Sequence, residues 1–115
     1  MSYTNILVEV TNAIMRITIN RPKQLNALNG DTITELSAAF KEGEANGAVR
    51  TIIITGTGDK AFVAGADIKE FADFSIEEGR ELSRSGHHNL FDLVEGLNTP
   101  VIAAINGYCL GGGLE

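Results

Sequence analysis

Apolar and polar residues alternate over two adjacent stretches near the start of the chain. Ile6, Val8 and Val10 form the first, and Met15, Ile17 and Ile19 the second, with Thr11-Asn12-Ala13 between them. A period of two around a short turn predicts a β-hairpin. Pro22 cannot donate to a sheet ladder and ends it, which leaves residues 23–30 as a loop. The period then changes. Ile33, Leu36, Ala39 and Phe40 share one helical face, so a helix is expected to about Asn46, capped by Asn29 or Asp31 and stopped by Gly47. Thr51 to Thr55 is a β-branched run, the pattern of a strand covered on both faces. Gly56 to Lys60 is a turn cluster, and residues 61–66 form a small-residue extended segment.

Ser75 and Glu78 stand at capping-box spacing. The helix they open carries Ile76, Leu82, Leu90, Leu93, Val94 and Leu97 on one stripe. Gly79 and Gly86 lie on the same stripe, which predicts close packing there. Thr99-Pro100 ends the helix. Val101 to Ile105 reads as a second buried strand, Asn106-Gly107 as a turn, and Gly111-Gly112-Gly113 as the start of a new helix. The order hairpin, helix, strand, helix, strand predicts an α/β protein with crossover helices.

Composition narrows the function. With 115 residues the chain suits a single domain. Nine Lys and Arg against 15 Asp and Glu give a net charge of −6, which argues against a nucleic-acid partner. The single cysteine, Cys109, excludes an internal disulfide and a cysteine-built zinc site, and fits a reducing compartment. No run approaches the ~20 apolar residues of a membrane span, and no signal sequence is visible, so a cytoplasmic protein without a membrane partner is expected.

Few residues offer chemistry. There is no P-loop motif. Gly56-x-Gly58-x-x-Ala61 follows a strand, but no helical pattern follows it to hold a pyrophosphate. Adjacent His87 and His88 diverge by about 100° on a helix and cannot share a metal. Cys109 has no identifiable activating base and reads as a packed small residue. Two glycine-containing segments are sharper. Ala64-Gly65-Ala66-Asp67 lets a ligand approach the main chain, with Asp67 able to cap a short helix from Ile68. The segment from Asn106 to Glu115 places three glycines at a helix start, where free N–H groups can stabilise a developing oxyanion. Glu115 follows Gly112 by about one turn. Taken alone, each segment reads equally as a tight turn.

Three blocks, NRPKQLNALN (20–29), AFVAGADIKE (61–70) and PVIAAINGYCLGGGLE (100–115), resemble the crotonase, or enoyl-CoA hydratase/isomerase, family. Together they span nearly the whole chain in the family's order, and they look most like the short-chain hydratases. The resemblance implies a crotonase-like spiral of β-β-α units, with residues 1–115 as the N-terminal part of that domain, cut at its C-terminus. It implies that backbone N–H groups of Ala66 and Gly112 hold the thioester oxygen of an acyl-CoA substrate, and that Glu115 is one of two acid–base glutamates. The second would lie beyond residue 115. It also places Lys23, Gln24, Leu25, Ala64, Ala66, Asp67, Ile68, Lys69 and Gly111 along the CoA moiety, the two lysines near its phosphates. Arg21 and Asn26 brace the loop, and Asp67 serves more as a cap than as a catalyst. No cofactor or metal beyond the acyl-CoA is implied, and a homotrimer or a dimer of trimers is expected of a full-length member. The same resemblance leaves room for an enoyl-CoA isomerase, and the shortness of the chain for a non-catalytic fragment that binds CoA weakly or packs against a partner.

Overall fold

A computed structural model describes residues 2–115, the side chains of Ile68 and Phe71 excepted. The hairpin forms as the alternation predicts. Strands β1 (Ile6–Thr11) and β2 (Ile14–Ile19) are antiparallel, with Val8 opposite Ile17. Asn12 and Ala13 make a two-residue turn at φ 53° and 67°, the twist that suits a hairpin. Met15, Ile17 and Ile19 are buried, as is Ile6, whereas Val10 and Ile14 at the turn end stay exposed.

Helix α1 (Gly30–Ala45) starts two residues earlier than a cap at Asp31 would allow. Asn29 is its cap, accepting the Thr32 N–H at 2.9 Å. The C-cap is Asn46, in extended conformation, so the helix ends before Gly47 can act. Leu36, Ala39 and Phe40 bury its inner face. Two glutamates on this helix accept from main-chain N–H groups of neighbouring segments. Glu35 accepts from the N–H groups of Thr4 (2.6 Å) and Asn5 (3.0 Å). Glu44 accepts from the N–H groups of Asn98 (2.7 Å) and Thr99 (3.1 Å) and from the Thr99 hydroxyl (2.8 Å). Those bonds hold the Glu44 carboxyl below its usual range, the Thr99 hydroxyl contributing most.

Strand β3 (Thr51–Gly56) lies parallel to β2, and β5 (Val101–Ala103) parallel to β3, giving a four-stranded sheet in the order β1-β2-β3-β5. A second sheet pairs β4 (Ala61–Val63) in parallel with β6 (Tyr108–Cys109). Strands β3 and β5 are each followed by a strand of the smaller sheet and then by helical structure. This is the β-β-α repeat expected from the resemblance. Asn106 fixes the second crossing, its amide donating to the carbonyls of Gly58 (2.9 Å) and Ala61 (3.1 Å).

Two expectations need correction. The run 101–105 is not a buried strand: β5 stops at Ala103, and Ile102 and Ile105 are 53% and 59% exposed. It is the outermost strand of its sheet. Similarly, β3 is only half covered away from Ile52 and Gly56. The long helix is not uniform. After α2 (Ile68–Phe71), the capping box of Ser75 and Glu78 opens α3 (Ile76–Gly86), which passes through a π-helical segment, His87–Phe91, into α4 (Asp92–Gly96). The wider turn shifts the stripe, so Leu90 is buried while Ile76 is exposed. Gly86 packs against Ile33 as predicted, but Gly79 meets open space. Gly111–Gly113 forms a 3-10 turn with Leu114 in helical conformation, and the Glu115 N–H donates to Gly111 O at 3.2 Å, the spacing of a helical bond. Among the described residues no helix is long and apolar enough to cross a membrane.

Candidate active site

Three loops converge at one end of the small sheet: the stretch before α1, the turn after β4 and the turn after β6. The first is a 3-10 turn, Pro22–Gln24, followed by Leu25 and Asn26 in left-handed conformation. Asn26 holds it as a brace, as the sequence suggested. Its Oδ1 accepts the Arg21 N–H at 2.9 Å, and its Nδ2 donates to the carbonyls of Ala61 (2.9 Å) and Thr57 (3.2 Å). Asn26 is only 1% exposed, so these bonds meet the requirement that a buried amide be satisfied.

The turn after β4 locks onto this loop. Ala64 donates to Leu25 O at 3.2 Å, Leu28 donates to Gly65 O at 2.9 Å, and Asp67 donates to Leu28 O at 2.9 Å. Leu28 and Ala66 therefore form a parallel bridge. Gly65 sits at φ +128°, open to glycine and to few other residues. One consequence concerns the next peptide unit. The Gly65 carbonyl and the Ala66 N–H share one trans peptide plane and point in opposite directions. Because the carbonyl is bonded to Leu28, the Ala66 N–H is aimed away from Leu28.

The turn after β6 supplies a second donor. Gly113 donates to Leu110 O, and Leu114 and Glu115 donate to Gly111 O, at 2.9, 3.0 and 3.2 Å. Gly112 is the second residue of this turn, within its first, unbonded N–H groups, and has no such acceptor behind it. Among the described residues, neither the Ala66 nor the Gly112 N–H meets a protein acceptor. Leu110 in turn donates to Val63 O at 3.0 Å, which docks this turn on β4.

Ala66, Gly112 and Glu115 line one cavity of about 240 Å³, with Leu28, Phe91 and His87 among its other walls. A larger apolar cleft of about 640 Å³ adjoins it and shares Leu28, His87, Phe91, Gly112 and Glu115. Small residues, two unengaged N–H groups and two carboxylates, Glu70 and Glu115, thus border one space. Such a space can take a polarisable carbonyl with an apolar tail.

The other sequence candidates lie around it. Lys23, Gln24 and Lys69 are exposed and stand outside the lining of that cavity. Leu25 lines a separate hollow with Lys60, Tyr108 and Cys109. A Cβ on Gly111 would stand 3.4 Å from Gly65 Cα, so the two glycine-containing turns lie side by side. Ile68 contributes the first residue of α2, and its side chain lies outside the described residues. Asp67 caps α2 through the Lys69 N–H at 3.1 Å and pairs with Arg21 at 2.9 Å. The hydrogen bond from Arg21 holds the Asp67 carboxyl below its usual range, against the opposing effect of burial. Cys109 packs with its Sγ 3.3 Å from Gly113 O. Among the described residues no cluster of His, Cys, Asp and Glu could hold a metal.

Sequence reasoning missed three cavity residues. Glu70, inside a block singled out above, lines the cavity and accepts the Gly30 N–H at 2.9 Å with one carboxylate oxygen and 3.1 Å with the other. Phe91 places its ring so that a Cβ on Gly112 would stand 3.3 Å away. His87 is exposed, as expected, yet walls both hollows and sets its ring edge-to-face on Phe91, centroids 5.5 Å apart. The π-helical register brings these two to the site, and no regular helical period marks it.

The fold is crotonase-like. It matches the crystal structure of an enoyl-CoA hydratase from Bacillus anthracis with a TM-score of 0.90 and 40% identity, over 96% of this chain and 43% of that one. The chain belongs to the enoyl-CoA hydratase/isomerase family, whose model matches residues 9–115. It is 47% identical to a crotonyl-CoA hydratase of Syntrophomonas wolfei over its full 115 residues. It is 45% identical to a short-chain-enoyl-CoA hydratase of Clostridium acetobutylicum over the same span. The chain spans 44% of the length of each of these two relatives.

Proposed function

We propose that the protein carrying this sequence is an enoyl-CoA hydratase, adding water across the 2,3-trans double bond of a short- or medium-chain 2-enoyl-CoA. The observation that supports this most is the convergence of the free Ala66 and Gly112 N–H groups with Glu115 on one cavity. The thioester oxygen binds between the two N–H groups. As water attacks C3, electron density moves through the conjugated system onto that oxygen. Donors already aimed at it stabilise the enolate-like state without reorganising, each worth about 2.7–4 kcal/mol. Glu115 takes a proton from the attacking water, a role worth about 10²–10⁴-fold. A proton delivered to C2 completes the 3-hydroxyacyl-CoA. The family resemblance assigns that delivery to a second glutamate, outside the 115 residues. The sum is enoyl thioester plus water, so the reaction balances without a redox cofactor.

The exposed Lys23 and Lys69, with Gln24 and Leu25 beside them, supply cations and surface for the CoA nucleotide. Assembly as a trimer or dimer of trimers follows from the family, and light scattering on the full-length protein tests it. The activity is tested by following loss of enoyl-thioester absorbance with crotonyl-CoA. Glu115→Gln should lower kcat by about 10²–10⁴-fold. A Glu115→Gln variant as fast as the parent would overturn the assignment, as would a product with a shifted double bond and no added water.

A further inference from the structure

We propose that Arg21 and Asp67 are a positioning pair that sets the aim of the Ala66 N–H. The inference rests on reading that N–H as an oxyanion donor. The peptide plane carrying it is held by the bridge between Leu28 and the segment 65–67, with one further bond from the Ala64 N–H to Leu25 O beside it. That bridge is two hydrogen bonds long, too short to hold its own register against fluctuation. The Arg21 guanidinium spans it from outside. Its Nη1 donates to the Ala27 carbonyl, one residue before Leu28. Its Nη2 donates to Asp67 Oδ2 at 2.9 Å, one residue after Ala66. One rigid planar group thus staples both sides of the bridge, each one position from the bridged pair. The other Asp67 oxygen accepts the Lys69 N–H, so the carboxylate is held from two directions.

Placement favours this role over simple surface pairing. The Arg21 and Asp67 side chains are 10% and 14% exposed, and neither lines the cavity that holds Ala66, Gly112 and Glu115. They stand outside that cavity, yet they act through the backbone on an atom at its wall. The two residues are 46 positions apart, so the pair couples the loop before α1 to the turn after β4. Lysine cannot replace Arg21, because a single ammonium lacks the planar fork that reaches two acceptors at once. Glu70 gives the same loop a second anchor, through its carboxylate on the Gly30 N–H.

The test uses the full-length protein with Asp67→Asn and Arg21→Lys, both close in shape to the parent. Two readouts separate aim from mere stability. The first is crotonyl-CoA kinetics on folded protein. Misplacing a reacting group by about 1 Å can cost about 10²-fold, so kcat should fall by about 10- to 100-fold. KM should stay within about threefold, since ground-state contacts are kept. The second is the carbonyl stretch of bound butyryl-CoA labelled at the thioester carbon, which drops in frequency when the oxygen is polarised. The parent should show the drop, and both variants should lose much of it. A full drop with parental kcat in both folded variants would overturn the pair's role alone. Absence of any drop in the parent would overturn the oxyanion reading, and the pair's role with it.

Discussion

Gly113→Ala should harm catalysis more than Gly112→Ala, although Gly112 carries the proposed oxyanion donor. A Cβ on residue 113 would stand 2.6 Å from the Val63 carbonyl oxygen and 2.7 Å from Val63 Cβ. Ordinary contact begins at about 3.4 Å, so the turn must retreat by about 0.8 Å. Val63 cannot move instead. It is a buried residue of β4, and its carbonyl already accepts the Leu110 N–H at 3.0 Å. The displacement therefore falls on the turn that bears both the Gly112 N–H and Glu115. A shift near 1 Å at a reacting centre costs about 10²-fold, and overpacking costs about 1–3 kcal/mol of stability. A Cβ on residue 112 meets only Leu28 Cδ1 at 3.1 Å and the tip of the Phe91 ring at 3.3 Å. Both are side-chain ends that can yield by a few tenths of an ångström. Crotonyl-CoA hydration should then fall about 100-fold in Gly113→Ala and about tenfold or less in Gly112→Ala. Thermal unfolding by circular dichroism checks that both variants fold. Two folded variants with the opposite order of kcat would refute the reasoning.

Truncating Asn26 to Ala strips bonds from buried backbone groups and should lower stability by about 1–3 kcal/mol, read as a reduced urea midpoint. Asp67 and Glu44 both have carboxyls held below their ordinary range in the fold. Their stabilisation is therefore present above the unfolded range near about 4 and is lost as pH falls from there through the lower folded values. The urea midpoint should drop between pH 6 and pH 3, and Asp67→Asn should flatten that slope; an unchanged slope would count against the Arg21 pairing. Replacing Lys23 and Lys69 together by Ala should raise KM for an acyl-CoA with kcat held, and should weaken the salt dependence of binding. If the salt dependence persists undiminished, the phosphates are held elsewhere.

Local chemistry made much of the fold legible. The period of the hairpin, the Asn29 cap and the box formed by Ser75 and Glu78 all act within a few residues, so the sequence displays them directly. What escaped depends on partners distant in the chain. Strand β6 has two residues and exists only because β4 lies beside it. The exposure of Ile102 reflects which layer covers β5, and no run of apolar letters records that. The π-helical segment inserts a wider turn without a marker residue. At the candidate site, the family resemblance of the glycine-containing blocks singled out Ala66, Gly112 and Glu115, which border one cavity. The roles of Glu70 and Phe91 were not legible, because each arises from contact with another element, Gly30 in one case and Gly112 in the other.

Glu35 and Glu44 are half-buried on α1, at positions where a sequence profile would expect interchangeable charges. Each closes a ring of main-chain N–H groups instead, one before β1 and one before β5. This limits how the surface can be rewritten. A redesign that recoloured the helix with lysine for solubility would face a cation against two donor groups at either end. Aspartate would keep the charge but fall one methylene short. The most ordinary-looking residues of the helix are thus among the least exchangeable.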